Sequence, residues 1–124
     1  KIVEAATGFI YLISLEGVTG SKLTNPNTTF KLIKEVKAQT RTPVMVGFGI
    51  SKREQAETIV TAGADGVVVG SAYAKIYTKN IQNPIITLPE IAQLSREIKA
   101  GCTKQYQKTR IIAKAKVKTD KVEL

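Results

Sequence analysis

Three glycine-bearing turns hold the chemistry this sequence could do: Gly17-Val18-Thr19-Gly20, Gly47-Phe48-Gly49 and Gly70-Ser71. Each follows a short apolar run that reads as a strand. A glycine after a strand lets the backbone approach a ligand closely enough for its N–H to reach an anion. In parallel α/β architectures, the carboxyl ends of strands are where ligands bind. Ser71 adds a hydroxyl donor, and a helix starting near Ala72 adds a favourable partial positive charge. Together these residues describe a phosphate cradle. A single such turn is better explained by the need for positive φ, so it is the succession of three that points to phosphate. Neither Gly-x-Gly-x-x-Gly nor Gly-Lys-Ser/Thr is present, because Gly47-Phe48-Gly49-Ile50-Ser51-Lys52 lacks the third glycine, and dinucleotide and NTP sites are therefore disfavoured.

Composition removes other chemistries. The 124 residues contain no His, so imidazole general bases, serine and cysteine triads and His-ligated zinc are excluded, and no metal site is expected. The lone Cys102 cannot close an internal disulfide, which favours a reducing compartment. No run approaches the ~18–20 apolar residues of a membrane span. The expectation is a soluble α/β piece of one domain with no membrane partner.

The elements that must position the turns follow from hydrophobic period. Phe9 to Ser14 reads as a buried strand. Thr29 to Gln39 reads as a surface helix, with Phe30, Ile33 and Val36 at helical spacing. Val44-Met45-Val46 is a second strand, and Ser51 with Glu54 forms a capping-box pattern that opens a helix to about Ala62. Val67-Val68-Val69 is a third strand, followed by a helix to about Asn80. Ile91, Leu94 and Ile98 mark a last helix over Leu88 to Lys99, and the pattern fades after Gly101. The first residues read as the end of a helix, so the sequence is read as starting mid-element, a piece of something longer. Apolar runs alternating with amphipathic helices imply a parallel sheet covered by helices on each side.

The segments Gly8 to Ser14 with Gly17-Val18-Thr19-Gly20, then Val46-Gly47-Phe48-Gly49-Ile50-Ser51, then Gly63 to Ala72 resemble the C-terminal half of the tryptophan synthase alpha chain family in order and spacing. The Ser-x-x-Gly-Val-Thr-Gly loop is the discriminating element. The resemblance covers roughly residues 1–100. It implies the C-terminal portion, about three β-α units, of a (β/α)₈ TIM barrel that cleaves indole-3-glycerol phosphate by a retro-aldol reaction to indole and glyceraldehyde 3-phosphate, without a cofactor. It also implies a beta chain partner in an alpha2-beta2 tetramer. By the same resemblance Gly20, Gly49, Gly70 and Ser71 would hold the substrate phosphate. Tyr11, Phe48 and Val68 would line the pocket, and Thr19 would belong to a loop that closes over substrate.

The family's two catalytic carboxylates come from an earlier strand and the loop after it, so no catalytic residue is expected here. Glu16 reads as a solvated loop residue, and Asp65, at the start of a strand, belongs to the end of a barrel that serves stability. Leu15 stands where the family often carries Arg. Residues 1–101 are expected to form the partial barrel. Residues 102–124 form a basic tail that carries +5 of the net +9 and is read mainly as a solvated terminus. A sheet of three strands would leave bare edges and an uncovered core face. The 15 Lys and 14 Ile resemble algal plastid and cyanobacterial versions and suggest the plastid stroma, with the cytoplasm as alternative. Two rival readings are another phosphate-binding barrel of amino-acid biosynthesis and a non-catalytic basic module that binds RNA through its tail. Nucleic acid is the less favoured partner, since the tail has one aromatic, Tyr106.

Overall fold

The computed structural model describes residues 2–13, 26–47 and 49–122. A short α1 (Ile2–Ala5) leads into β1 (Ile10–Ile13), α2 (Pro26–Gln39), β2 (Val44–Gly47), α3 (Arg53–Thr61), β3 (Gly66–Val68), α4 (Ser71–Lys79) and α5 (Pro84–Val122). The strands pair in parallel in the order β1-β2-β3. Their register sets Ile10 beside Val44, Leu12 beside Val46, and Val46 beside Val67 on one face. The opposite face carries Tyr11 and Ile13 from β1, Met45 and Gly47 from β2, and Gly66 and Val68 from β3, because successive side chains along a strand point to opposite sides.

The helices are built on one of these faces. Ile33 of α2, Ala56 and Ile59 of α3 and Ile98 of α5 close over Val46, with Ile50 and Ala64 sealing the strand ends. Leu12, Phe30, Val67, Leu94 and Cys102 pack against this cluster. Ile33, Ile59, Val44 and Val46 lose essentially all contact with water, each contributing about 1.5–3 kcal/mol. Among the described residues no helix covers the other face: Ile13 is 63% exposed and Tyr11 48%. The pattern of apolar runs alone implies helices on both sides, and the structure corrects this to one side.

At the amino ends of β2 and β3, Asp65 ties three elements. Its Oδ2 accepts from the backbone N–H of Val44 at 2.7 Å and from Lys37 Nζ of α2 at 2.8 Å, while its own N–H donates to the Val44 carbonyl at 2.8 Å. α3 begins at Arg53, and the side chain that caps it is Gln55, whose Oε1 accepts from the N–H groups of Ser51 and Lys52. The expected Ser51–Glu54 box is thus shifted by one residue. α5 also departs from expectation: it starts at Pro84, a favoured first helical position, and runs without interruption past Lys99 and Gly101.

Candidate functional site

The parallel register brings the strand carboxyl ends level, with Ile13, Gly47 and Val68 side by side. The segments that leave them carry the residues expected to bind phosphate. Gly49, two residues past β2, has φ +41°, in the left-handed region that favours glycine. The chain then turns back and drives Ile50 into the core. Gly49 is exposed above that anchor. Its conformation is therefore sufficient reason for a glycine.

Gly70 is a different case. It precedes α4 with φ −125°, and a Cβ built on it would meet nothing within 4 Å among the described residues. Neither its negative φ nor the packing of the described residues around it requires a glycine. Its carbonyl accepts from the N–H groups of Tyr73 and Ala74 at 3.0 and 3.1 Å. The amides of Ser71 and Ala72, in the first turn of α4, are those that helix geometry leaves without an internal acceptor. Ser71 is half-buried, and its hydroxyl makes no hydrogen bond among the described residues. Gly49, Gly70 and Ser71 thus stand on adjacent segments at one end of the sheet. Gly20 and Thr19, in the turn after β1, and Phe48 lie outside the described residues.

Of the expected pocket residues, Tyr11 and Val68 lie on the open face, one at mid-strand and one at the carboxyl end. Two positions on that face carry no clear sequence signal. Gly47 reads in sequence as part of a turn, yet it is the last residue of β2. A Cβ there would run into the ring and hydroxyl of Tyr11, so its bareness is what lets the ring lie across the sheet. Gly66 does the same for Met45, whose Cε and Sδ would stand 2.6 and 2.9 Å from an added Cβ. The only hint in the sequence is register, which becomes usable once the strands are aligned.

No group of three or more His, Cys, Asp or Glu positioned to hold a metal occurs among the described residues. Burial pushes the Cys102 thiol up, away from the thiolate a nucleophile needs. A cavity of about 520 Å³ lies between α2 and α3, lined by Phe30, Lys34, Glu54, Glu57, Thr58, Thr61 and Ala62, with no strand-end residue among them.

Comparison with known proteins agrees with this arrangement. The sequence model described as tryptophan synthase alpha chain matches residues 1–103. The alpha chain of Methanothermobacter thermautotrophicus is 42% identical over 101 residues, 82% of this chain and 37% of the relative. That of Pyrococcus abyssi is 49% identical over 83 residues, 67% of this chain and 34% of the relative. A mutant alpha-subunit from Pyrococcus furiosus superposes with a TM-score of 0.66 at 35% identity, over 80% of this chain and 38% of that one. The open three-stranded sheet is thus a partial TIM barrel, with the uncovered face as the barrel interior. The chain spans less than two fifths of the length of these relatives. The alternatives of an unrelated phosphate barrel or an RNA-binding module are not favoured by a match that takes in all three β-α units. The chain belongs to the tryptophan synthase alpha chain family.

Proposed function

We propose that this chain supplies the phosphate-binding end of an alpha subunit whose complete barrel cleaves indole-3-glycerol phosphate, by a retro-aldol reaction, to indole and glyceraldehyde 3-phosphate. The observation that carries the reading is Gly70, a glycine that the packing of the described residues does not require, set beside two helix amides with no acceptor within the helix. A phosphate placed there accepts from Ser71 and Ala72 N–H and from Ser71 Oγ, and the bare Gly70 lets its oxygens come close. Gly49, and Gly20 by resemblance, complete the cradle from the neighbouring turns. The partial charge at the start of α4 opposes the phosphate charge and adds about 0.3–1 kcal/mol. Glycine turns fix their amides before the ligand arrives, so little ordering entropy is lost on binding.

The aromatic part of the substrate fits the open face beyond this end. Tyr11, Val68 and Met45 make it apolar, and none of the six strand residues on it is charged. By resemblance Phe48 lines it and Thr19 belongs to the loop that closes over it. By the family resemblance the two catalytic carboxylates, a general acid/base Glu and an Asp that stabilises the indole nitrogen, belong to the part of the family's chain not spanned here, so these residues bind and orient but do not transfer a proton. The product indole would pass to a beta chain, by the family resemblance in an alpha2-beta2 assembly. The composition supports the plastid stroma as the location, which fractionation of source cells would test.

The direct test is a titration of the ¹⁵N-labelled chain with glycerol 3-phosphate, followed by amide chemical shifts. Saturable shifts are expected at Gly49, Gly70, Ser71 and Ala72, together with Gly20, and should weaken about three- to tenfold in Ser71→Ala, the loss of one hydrogen bond to a charged group being offset by retained amides. Shifts scattered over lysine-rich segments, with none at these amides, would overturn the reading.

A further inference from the structure

The cavity between α2 and α3 belongs neither to the phosphate cradle nor to the open face of the sheet. Its volume of about 520 Å³ is that of a small-molecule site, for which ~300–1,000 Å³ is usual. Both of its walls are helices of this chain. Phe30 and Lys34 stand one turn apart on α2, and Glu54 and Glu57 one turn apart on α3. Phe30 and Glu57 are half-buried in the gap. The two helices are joined through the core, where Ile33 and Ile59 share one cluster, and a Cβ on Gly63, just past α3, would come 3.7 Å from Ile33 Cγ2.

The charges that line the cavity are those the fold has not used. On α2, Lys31 pairs with Glu35 and Lys37 with Asp65, whereas Lys34 between them has no ion pair or hydrogen bond among the described residues. The Glu54 and Glu57 carboxylates have none there either. Their spacing sets two like charges against each other, an unfavourable arrangement that a cation between them relieves. Thr58 and Thr61 are satisfied within α3, their hydroxyls donating to the Glu54 and Glu57 carbonyls at 2.7 and 2.6 Å, so those protons are not available to a ligand. What remains is two carboxylates and one ammonium beside the apolar surface of Phe30 and Ala62.

We propose that this cavity binds a free amino acid with a large apolar side chain, Glu54 and Glu57 holding its ammonium, Lys34 its carboxylate, and Phe30 and Ala62 covering the side chain. A simple amine leaves Lys34 unmatched, and a simple carboxylate meets two charges of its own sign. A zwitterion answers all three groups at once. None of the residues of the phosphate cradle lines the cavity, so the two sites are filled independently.

The test is a titration of the ¹⁵N-labelled chain with L-phenylalanine, in parallel with phenethylamine, which lacks the carboxylate, and 3-phenylpropionate, which lacks the ammonium. Saturable amide shifts are expected at Lys34, Glu57, Thr58, Thr61 and Ala62, and each analogue should bind about tenfold more weakly than the amino acid. Glu57→Gln and Lys34→Met should each weaken L-phenylalanine by about tenfold as well. Circular dichroism checks that both variants fold; if Glu57→Gln does not, Lys34→Met, at an exposed position, carries the test. Glu90→Gln, which removes an exposed carboxylate of α5 outside the cavity, should leave the affinity within about twofold. An analogue that binds as tightly as L-phenylalanine, or an affinity that survives Lys34→Met, would overturn the assignment of a zwitterion. Absence of saturable shifts at these amides would overturn the site itself, while the response of Gly70 and Ser71 to glycerol 3-phosphate would stand unchanged.

Discussion

One sheet presents two faces of similar apolar character and opposite fate. On the helix side, Val44 and Val46 are wholly removed from water, and α2, α3 and α5 interlock around Ile33, Ile59 and Ile98. On the other side, Ile13 and Tyr11 of the adjacent strand β1 remain open, paired with Gly47 and Met45 rather than with the two buried valines. Hydrophobicity by residue type does not distinguish the two faces. What distinguishes them is where the described helices pack: α2, α3 and α5 complete one face and leave the other open. Substitutions should separate them: the closed face should respond in stability, and the open face in ligand or partner binding.

The largest effect belongs to the centre of the closed face. Ile33→Ala removes a fully buried side chain that touches the sheet through the interlocked cluster, and should cost about 2–5 kcal/mol. With three strands among the described residues, this is enough to abolish a cooperative urea transition followed by circular dichroism. Next comes Asp65→Ala, which leaves the N–H of buried Val44 without an acceptor, a cost of about 1–3 kcal/mol. Lys37→Met removes only the half-exposed ion pair to the same carboxylate and should cost less than about 1 kcal/mol, falling further with added salt. Equal losses from Asp65→Ala and Lys37→Met would show that the backbone hydrogen bond is not the important part of that tie.

How far the sequence discloses these faces depends on the kind of signal. The apolar runs disclose the strands to within a residue or two, and Gly70-Ser71 marks the start of α4, because hydrophobic period and chain-breaking glycines are local. Asp65 reads correctly as a residue of the stability end, since its place before a strand settles the matter. Gln55 in place of Glu54 as the capping side chain is a matter of one residue of phase, which propensity does not resolve. The uncovered face could not be read from alternation, because short strands that are apolar throughout look alike whether one or both faces are packed. The roles of Gly47 and Gly66 depend on Tyr11 and Met45 of neighbouring strands, and become visible only with the register. The sequence marks α5 only as far as Lys99, because basic residues dilute the helical period beyond Gly101.

Two glycines sharpen the contrast between the faces. In α5, a Cβ on Gly101 would stand 2.5 Å from the Arg53 carbonyl oxygen and 3.2 Å from the Glu57 nitrogen, both backbone atoms of α3. Gly→Ala inside a helix ordinarily gains up to about 1 kcal/mol. Here the helices would have to part, and Gly101→Ala should instead cost about 1–3 kcal/mol, seen as a lower urea midpoint. On the open face Gly47→Ala meets an equally crowded space, but the obstacle is the Tyr11 ring, which has room to swing away. The stability change should be under about 1 kcal/mol, while the fluorescence of Tyr11 and the affinity for an indole-bearing ligand should change. A gain in stability for Gly101→Ala, or a large loss for Gly47→Ala, would break the distinction.

The smallest expected effect is the most direct probe of the open face. Ile13→Thr keeps β-branching and strand propensity and removes apolar surface that is already 63% exposed. Loss of such a group from a packed core would cost more than 1 kcal/mol, whereas here the urea midpoint should move by no more than the equivalent of about 0.5 kcal/mol. Binding to the complementary portion of a relative's chain should nevertheless weaken by about tenfold, because closing a barrel over this face would bury the side chain, at the carboxyl end beside Gly47 and Val68. The dissociation of the two readouts is the informative result. A side chain that contributes nothing to the free chain and much to the complex is one whose physical partner lies outside this chain.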